Sequence, residues 1–341
     1  MGTRQIICRV PWQALSRVMG IVLAALLVGW LSPPIRANRS DRGVGDNALC
    51  YAFSREGDIW TVCQGKRERI RVPAKESGFA ISADGSHIAY YTQKKKGIRE
   101  RLVLVSLEPE IKTTIKETGN SAHSLRSTCG TILQFQTGTE KTPTGLDWPR
   151  WNGTANDLIA GKSMEYPPNE LFECSADRRI VVGWTDSSKP TTSDSILRIS
   201  VGNKEVRKMS EVLTFQVSPN GKFLYYAHNS RQQDGGSLML LCVAELLGQS
   251  SCFADLVGTV RGMGTHAVSD SGEVLYLVEL ERESCGDRPC MGIAYWRPGM
   301  SKGELVETED SSNPQWITPE VAARLHEWAS SLASPLPTRP H

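Results

Sequence analysis

The sequence predicts an all-β fold in which one strand–turn–strand unit recurs around a closed ring. Three observations carry that prediction. First, a short phrase repeats. Its clearest copies are Ser82-Ala83-Asp84-Gly85 leading into Ile88-Ala89-Tyr90-Tyr91, and Ser218-Pro219-Asn220-Gly221 leading into Phe223-Leu224-Tyr225-Tyr226. Second, the hydroxyl residue that opens each copy recurs at positions 82, 127, 175, 218, 269 and 318, at spacings of 45, 48, 43, 51 and 49 residues. A period of that size marks a repeat architecture, and four-stranded propeller blades run at about 40–50 residues. Third, the two ends of the repeating region complete each other. Leu49 to Phe53 and Asp58 to Val62 read as the later strands of a unit without a first strand, and Asn313 to Ile317 reads as a first strand without the rest.

Each element follows from local chemistry. Asp84-Gly85 and Asn220-Gly221 supply tight turns, because Asp and Asn tolerate the left-handed region and Gly enters it without steric cost. The runs after the turns are apolar throughout, as in strands buried on both faces. Three further copies are Arg126-Ser127-Thr128-Cys129-Gly130 before Ile132 to Phe135, Ser175-Ala176-Asp177-Arg178 before Ile180 to Trp184, and Ser269-Asp270-Ser271-Gly272 before Val274 to Leu277. Five whole copies plus one unit shared between the chain ends give a six-bladed β-propeller of four-stranded antiparallel blades, spanning residues 48–320. Sharing a blade closes the ring and removes its open edges. Trp316 is expected to be buried between blades. Beyond it, Thr318-Pro319 opens a short helix (321–333), with Val321, Leu325 and Trp328 on one face packed on the ring. Trp328 is expected to matter less to stability than Trp316. The Pro-rich residues 334–341 read as a disordered tail.

The repeat resembles the PD40, or WD40-like, repeat of TolB-type six-bladed propellers, on Asn313-Pro314-Gln315-Trp316, Ser218-Pro219-Asn220-Gly221 and Gly57-Asp58-Ile59-Trp60. The resemblance covers residues 48–320 and implies the fold; propellers host many functions.

Residues 1–37 carry four arginines, no acidic residue and an apolar run from Val18 to Leu31. A run of fourteen residues is short for a bilayer span and suits a signal peptide cleaved after Ala37. The alternative is an uncleaved N-terminal anchor, the one case in which membrane contact is expected. Either way the protein is exported, to the periplasm or the cell exterior. Residues 38–47 read as a flexible leader. Loss of residues 1–37 turns a formal net charge of +2 into −2, so nucleic acid is not an expected partner. The strongest basic run, Lys94-Lys95-Lys96 with Arg99 and Arg101, reads as a solvated loop.

Eight cysteines follow residue 37, an even number that in an exported chain implies disulfides. Cys50 and Cys63 are symmetric about Glu56-Gly57, which sets them opposite at a narrow, non-hydrogen-bonded site of the hairpin. Cys242 and Cys252 are symmetric about Leu247 and oppose in the same way. Cys285 and Cys290 staple a loop between strands. Elimination leaves Cys129 with Cys174, between the first strands of neighbouring blades. Metal coordination is the rival reading, and the lack of any Cys-x-x-Cys argues against it.

No nucleophile elbow, zinc-binding helix, phosphate loop or dinucleotide fingerprint is present, and no cofactor or metal is expected. His123 and His266 precede first strands of facing blades at one channel mouth and are the candidate binding residues. Glu173 and Asp270 read as strand-end polar groups. The expected function is an exported binding module, taking a protein or glycan partner at the channel mouth or rim. The alternative is a propeller hydrolase or lyase with catalytic residues in the mouth loops.

Overall fold

A computed structural model describes residues 49–333 except 72–73, 93–100, 109–112, 118–121, 142–146, 166–169, 186–194, 232–236, 247, 254–266 and 281–289. The expected signal peptide (1–37) or anchor, the leader (38–47), the run Lys94-Lys95-Lys96 with Arg99, and the tail 334–341 lie outside the described residues.

Among the described residues, twenty-four strands form six four-stranded antiparallel sheets arranged as a β-propeller. Blade 1 contains β1 (Cys50–Arg55), β2 (Asp58–Cys63) and β3 (Lys66–Ile70). Blade 2 contains β4 (Ala74–Ile81), β5 (His87–Thr92), β6 (Arg101–Ser106) and β7 (Thr113–Glu117). Blade 3 contains β8 (Ala122–Thr128), β9 (Thr131–Lys141), β10 (Asp147–Asp157) and β11 (Lys162–Glu165). Blade 4 contains β12 (Glu170–Cys174), β13 (Ile180–Thr185), β14 (Ile196–Val201) and β15 (Lys204–Ser210). Blade 5 contains β16 (Val212–Val217), β17 (Phe223–Arg231), β18 (Ser237–Glu245) and β19 (Ser250–Phe253). Blade 6 contains β20 (Ala267–Val268), β21 (Val274–Glu279), β22 (Met291–Trp296) and β23 (Glu304–Glu307). The last strand, β24 (Ser312–Trp316), returns to pair antiparallel with β1, so blade 1 has the order β24-β1-β2-β3. The Ile317 N–H donates to the Cys50 carbonyl and extends that pairing.

The core lies between blades, which explains the unbroken apolar runs. Along β5, Ile88 and Tyr90 pack towards blade 1, whereas Ala89 and Tyr91 pack towards blade 3. Along β17, Phe223, Tyr225 and Ala227 face blade 6 and Leu224 and Tyr226 face blade 4. A period of two thus delivers alternate residues to two separate cores.

The repeating turn has a specific cause. In the copies opened by Ser82, Ser175 and Ser218 the hydroxyl donates to the Asp or Asn two residues on. The same hydroxyl accepts the N–H of His87, Ile180 or Phe223, where the next strand begins. Asp84, Asp177 and Asn220 in turn accept the N–H two residues further on. Ser269 repeats the pattern with Ser271 and the Glu273 N–H. Each turn therefore satisfies its own backbone with two short side chains.

Ser127 departs from the expected role. It is paired with Ile132 inside the β8–β9 ladder, and the turn is the two-residue Cys129-Gly130, with φ of 56° and 71°. Thr128 takes over the polar work one residue later. Its hydroxyl accepts the Cys174 N–H at 3.0 Å and donates to the Cys174 carbonyl, tying blade 3 to blade 4.

Disulfides join Cys50 to Cys63, Cys129 to Cys174 and Cys242 to Cys252. Glu56 and Gly57 both have positive φ, and the two-residue turn they make sets Cys50 opposite Cys63 with Cα atoms 4.1 Å apart. Cys290 is disulfide-bonded, and Cys285, its expected partner, lies outside the described residues.

Helix α1 (Pro319–Ala333) begins at Pro319, with the Thr318 hydroxyl accepting the Val321 N–H. It packs over the junction of blades 1 and 2. His326 meets Thr61 and Glu68, and Val321, Leu325 and Trp328 join the core of these two blades. Gly85 (φ +67°) sits directly beneath, and a Cβ there would overlap Val321 Cγ2. This arrangement reverses the expected ranking of the two tryptophans. Trp328 is 2% exposed, beside Tyr90, because the helix presses it into the blade 1–2 core. Trp316 is only half-buried, its ring edge-on to Tyr295 and its indole N–H donating to the Ala267 carbonyl. Truncation of a core Trp costs about 3–5 kcal/mol. Trp328→Ala should therefore lower the thermal midpoint more than Trp316→Ala, as measured by paired unfolding curves; the opposite order would mean that α1 docks loosely.

Candidate functional site

First strands neighbour one another around the ring centre: β24 touches β4, β4 touches β8, β12 touches β16, and β16 and β24 both touch β20. Because strands alternate in direction, connections between the first and second and between the third and fourth strands of each blade share one face. The second-to-third connections and the blade-to-blade crossings share the other. The first face carries the serine turns and α1. The second face is the expected mouth.

His123 lies in β8, in register with Gln136, close to the crossing from blade 2. His266 lies outside the described residues, immediately before β20, so the expected histidine pair has no described geometry. Asp270 is exposed on the serine-turn face and accepts the Asn220 N–H at 2.8 Å, linking blades 5 and 6.

Glu173 is the penultimate residue of the inner strand β12, and at 2% exposed it is a buried link between strands and not a solvated strand end. Its Oε1 accepts from Arg126 Nη1 of β8 at 2.6 Å, and its Oε2 accepts the Val217 N–H of β16 at 2.8 Å. One carboxylate thus ties the inner strands of blades 3, 4 and 5 together. Burial pushes its pKa up, against the pull of the Arg126 charge and the Val217 N–H.

A second buried cluster joins blade 6 to blade 1. Glu307, fully buried at the end of β23, accepts from Tyr51 Oη at 2.9 Å, from Arg55 Nη2, and from Arg67 Nη2 at 2.8 Å to each oxygen. Arg55 also reaches Ser311 and Glu309 and lies over the rings of Phe53 and Trp60. Burial and the adjacent Glu307 charge push the Tyr51 hydroxyl pKa up, so the phenol stays a donor. Sequence reasoning missed both clusters. The available signal was a charge set among apolar neighbours, as in Leu171-Phe172-Glu173-Cys174 and Tyr51 to Arg55.

Among the described residues, the group with metal-ligand proximity is His228 with Cys242 and Cys252, and its two sulfurs are joined as a disulfide.

The raised pKa of Glu173 has a definite sign. Over the window between the ordinary value of 4.5 and the raised one, the folded state holds a proton that the unfolded chain has released. Stability from this group is therefore present below that window and is lost as pH rises through it. Glu173→Gln lacks the titration, so its stability relative to wild type should improve as pH rises from acid to neutral. Urea midpoints of both proteins across that range check this; a gap that moves the other way would mean that Arg126 keeps the carboxylate ionised throughout.

No protein-family model and no curated protein matches the chain. Solved structures are similar to it in fold. The β-propeller domain of the trilobed protease from Pyrococcus furiosus, described as an open velcro topology, is 16% identical over 76% of this chain and 81% of that one, with a TM-score of 0.43. The acylaminoacyl peptidase of Pyrococcus horikoshii is 11% identical over 76% of this chain and 46% of its own, with a TM-score of 0.44. The propeller assignment rests on the strand topology described above, and these likenesses add nothing on function.

Proposed function

We propose that the chain is an exported, PD40-type propeller that binds a protein or glycan through the mouth face. The observation that carries this reading is the division of labour between the two faces. On the serine-turn face the first-to-second connections are short, 82–86, 129–130, 175–179, 218–222 and 269–273, the serine turns among them satisfy their own polar groups, and the third-to-fourth connections run to seven residues at 297–303. Four of the connections between described strands on the mouth face are longer, 93–100, 186–195, 254–266 and 280–290, with eight to thirteen residues each. Long connections held on a rigid scaffold are where binding residues concentrate. The repeated Ser-x-Asp/Asn turn supports the PD40 reading. The disulfides of the described residues point to an oxidising, exported environment, and the proposal places the protein in the periplasm or outside the cell. No helix among the described residues is long and apolar enough to cross a membrane.

The experiment is a binding screen of the purified mature protein against glycan arrays and, by crosslinking, against exported proteins. Replacing residues 186–194 with a Gly-Ser linker of equal length should abolish or strongly weaken binding and leave the thermal midpoint unchanged. Asp177→Ser, on the opposite face, should leave binding intact. Binding that survives the linker but fails in the Asp177 variant would move the site to the other face. Turnover of a peptide, ester or glycoside substrate would favour the hydrolase or lyase alternative.

A further inference from the structure

Blade 5 places a histidine beside a disulfide on three successive strands. Tyr226 of β17 is in register with Cys242 of β18, and Cys242 is in register with Cys252 of β19. His228 is two residues beyond Tyr226 and so shares its face of the sheet, diagonal to Cys242, a separation that side chains span. The result is close: one imidazole nitrogen and both sulfurs lie within 4.8 Å of one another. The Tyr226 ring stacks on His228 at 6.0 Å, and its hydroxyl is held by Ser250, which also accepts from Arg207. Cys242 is buried, His228 is half-buried and Cys252 is exposed.

The geometry points to a redox-gated zinc site formed by His228, Cys242 and Cys252. As a disulfide the sulfurs are not thiolates and offer zinc nothing, which is the state of this structure. A dithiol reductant opens the site in two steps. One reductant thiolate attacks the exposed Cys252 sulfur, the bond to Cys242 breaks, and Cys242 leaves as a thiolate beside His228. The second reductant thiol then displaces Cys252 and closes the reductant into its own disulfide. Two electrons pass from the dithiol to the protein, and the two cysteines end as free thiols. Zinc binding to the thiols and the neutral imidazole releases two protons to solvent.

The framework suits the ion without movement of the strands. Tetrahedral zinc has Zn–S of about 2.3 Å and Zn–N of about 2.0–2.1 Å, which sets its sulfurs about 3.8 Å apart. Side-chain rotation can supply that separation between residues whose Cα atoms are 4.1 Å apart. Two thiolates and an imidazole favour zinc over hard cations and leave the fourth position to water. The reading is independent of the mouth-face proposal, because it concerns blade 5 alone.

The test uses the folded mature protein, a phosphine reductant that does not compete for metal, and Co²⁺ as a coloured stand-in for zinc. Differential alkylation should show Cys242 and Cys252 opened. Cobalt should then give thiolate charge-transfer bands that saturate at a single equivalent and are lost on adding zinc. The bands should be absent from the unreduced protein, lost in Cys252→Ser, weakened and shifted in His228→Ala, and retained in Cys50→Ala/Cys63→Ala. Zinc should also raise the thermal midpoint of the reduced wild type and not of the oxidised protein, a readout that needs no variant to fold. Reduced wild type without bands or zinc stabilisation, or bands indifferent to His228→Ala, would overturn the proposal.

Discussion

The buried carboxylate of Glu307 is the contact on which the ring depends. Consecutive blades follow one another along the chain, but blade 1 takes strands from both ends of it, so β23 and β24 must find β1–β3 across a sequence separation of 252 residues between Glu307 and Arg55. Closing such a loop costs entropy that contacts at the join must offset. The strand pairing of β24 with β1 supplies backbone hydrogen bonds, and Glu307 gathers Tyr51, Arg55 and Arg67 from two strands of the receiving blade. A buried carboxylate is expensive to desolvate, and it is tolerable here because both its oxygens are occupied by donors. The same chemistry makes the join specific, since a misaligned blade would leave a buried charge unpaired.

The remaining seams use smaller polar links of the same kind. Gln315 of β24 accepts the Ile81 N–H of blade 2 and donates to the Phe79 carbonyl. Gln134 donates to Tyr91 between blades 3 and 2, a disulfide and Thr128 join blades 3 and 4, Glu173 joins blades 4 and 5, and Asp270 joins blades 5 and 6. Blades so tied form a stiff frame, the condition for holding binding loops in place. The outer edges are guarded differently. Lys66, Arg67 and Arg69 on β3, and Lys204, Arg207 and Lys208 on β15, put charge on edge strands that could otherwise pair with another chain.

What was legible in the sequence was whatever local chemistry determines. Ser, Asp or Asn, and Gly within four residues specify the turn by themselves, and the symmetry of Cys50 and Cys63 about Glu56-Gly57 specifies the hairpin register. Ser127 misled because Cys129-Gly130 can make a two-residue turn, which shifts the polar role to Thr128 without changing the spacing of the repeat appreciably. The weight of Trp328 relative to Trp316 was misjudged because the depth of its burial depends on where α1 lands, and that depends on Gly85 leaving room for Val321. The charged clusters were invisible for a simpler reason. Arg126 and Glu173 are 47 residues apart, and nothing in either neighbourhood names the other. The candidate site was the least legible part, since a mouth assembled from blade crossings has no local pattern.

A double-mutant cycle on Arg55 and Glu307 tests most directly whether the closing seam governs the ring. Removing one partner of a buried ion pair typically costs about 3–5 kcal/mol. Glu307→Leu, which takes the carboxylate from Arg55, Arg67 and Tyr51, should destabilise on that scale in equilibrium unfolding, and Arg55→Met, which leaves Arg67 on the carboxylate, should cost less but well above about 0.5 kcal/mol. The double variant, with an apolar pair in the same space, should lose far less than the sum, with a coupling energy above about 1 kcal/mol. Two single variants that each stay within about 0.5 kcal/mol of wild type, the range of ordinary surface substitutions, would contradict the account.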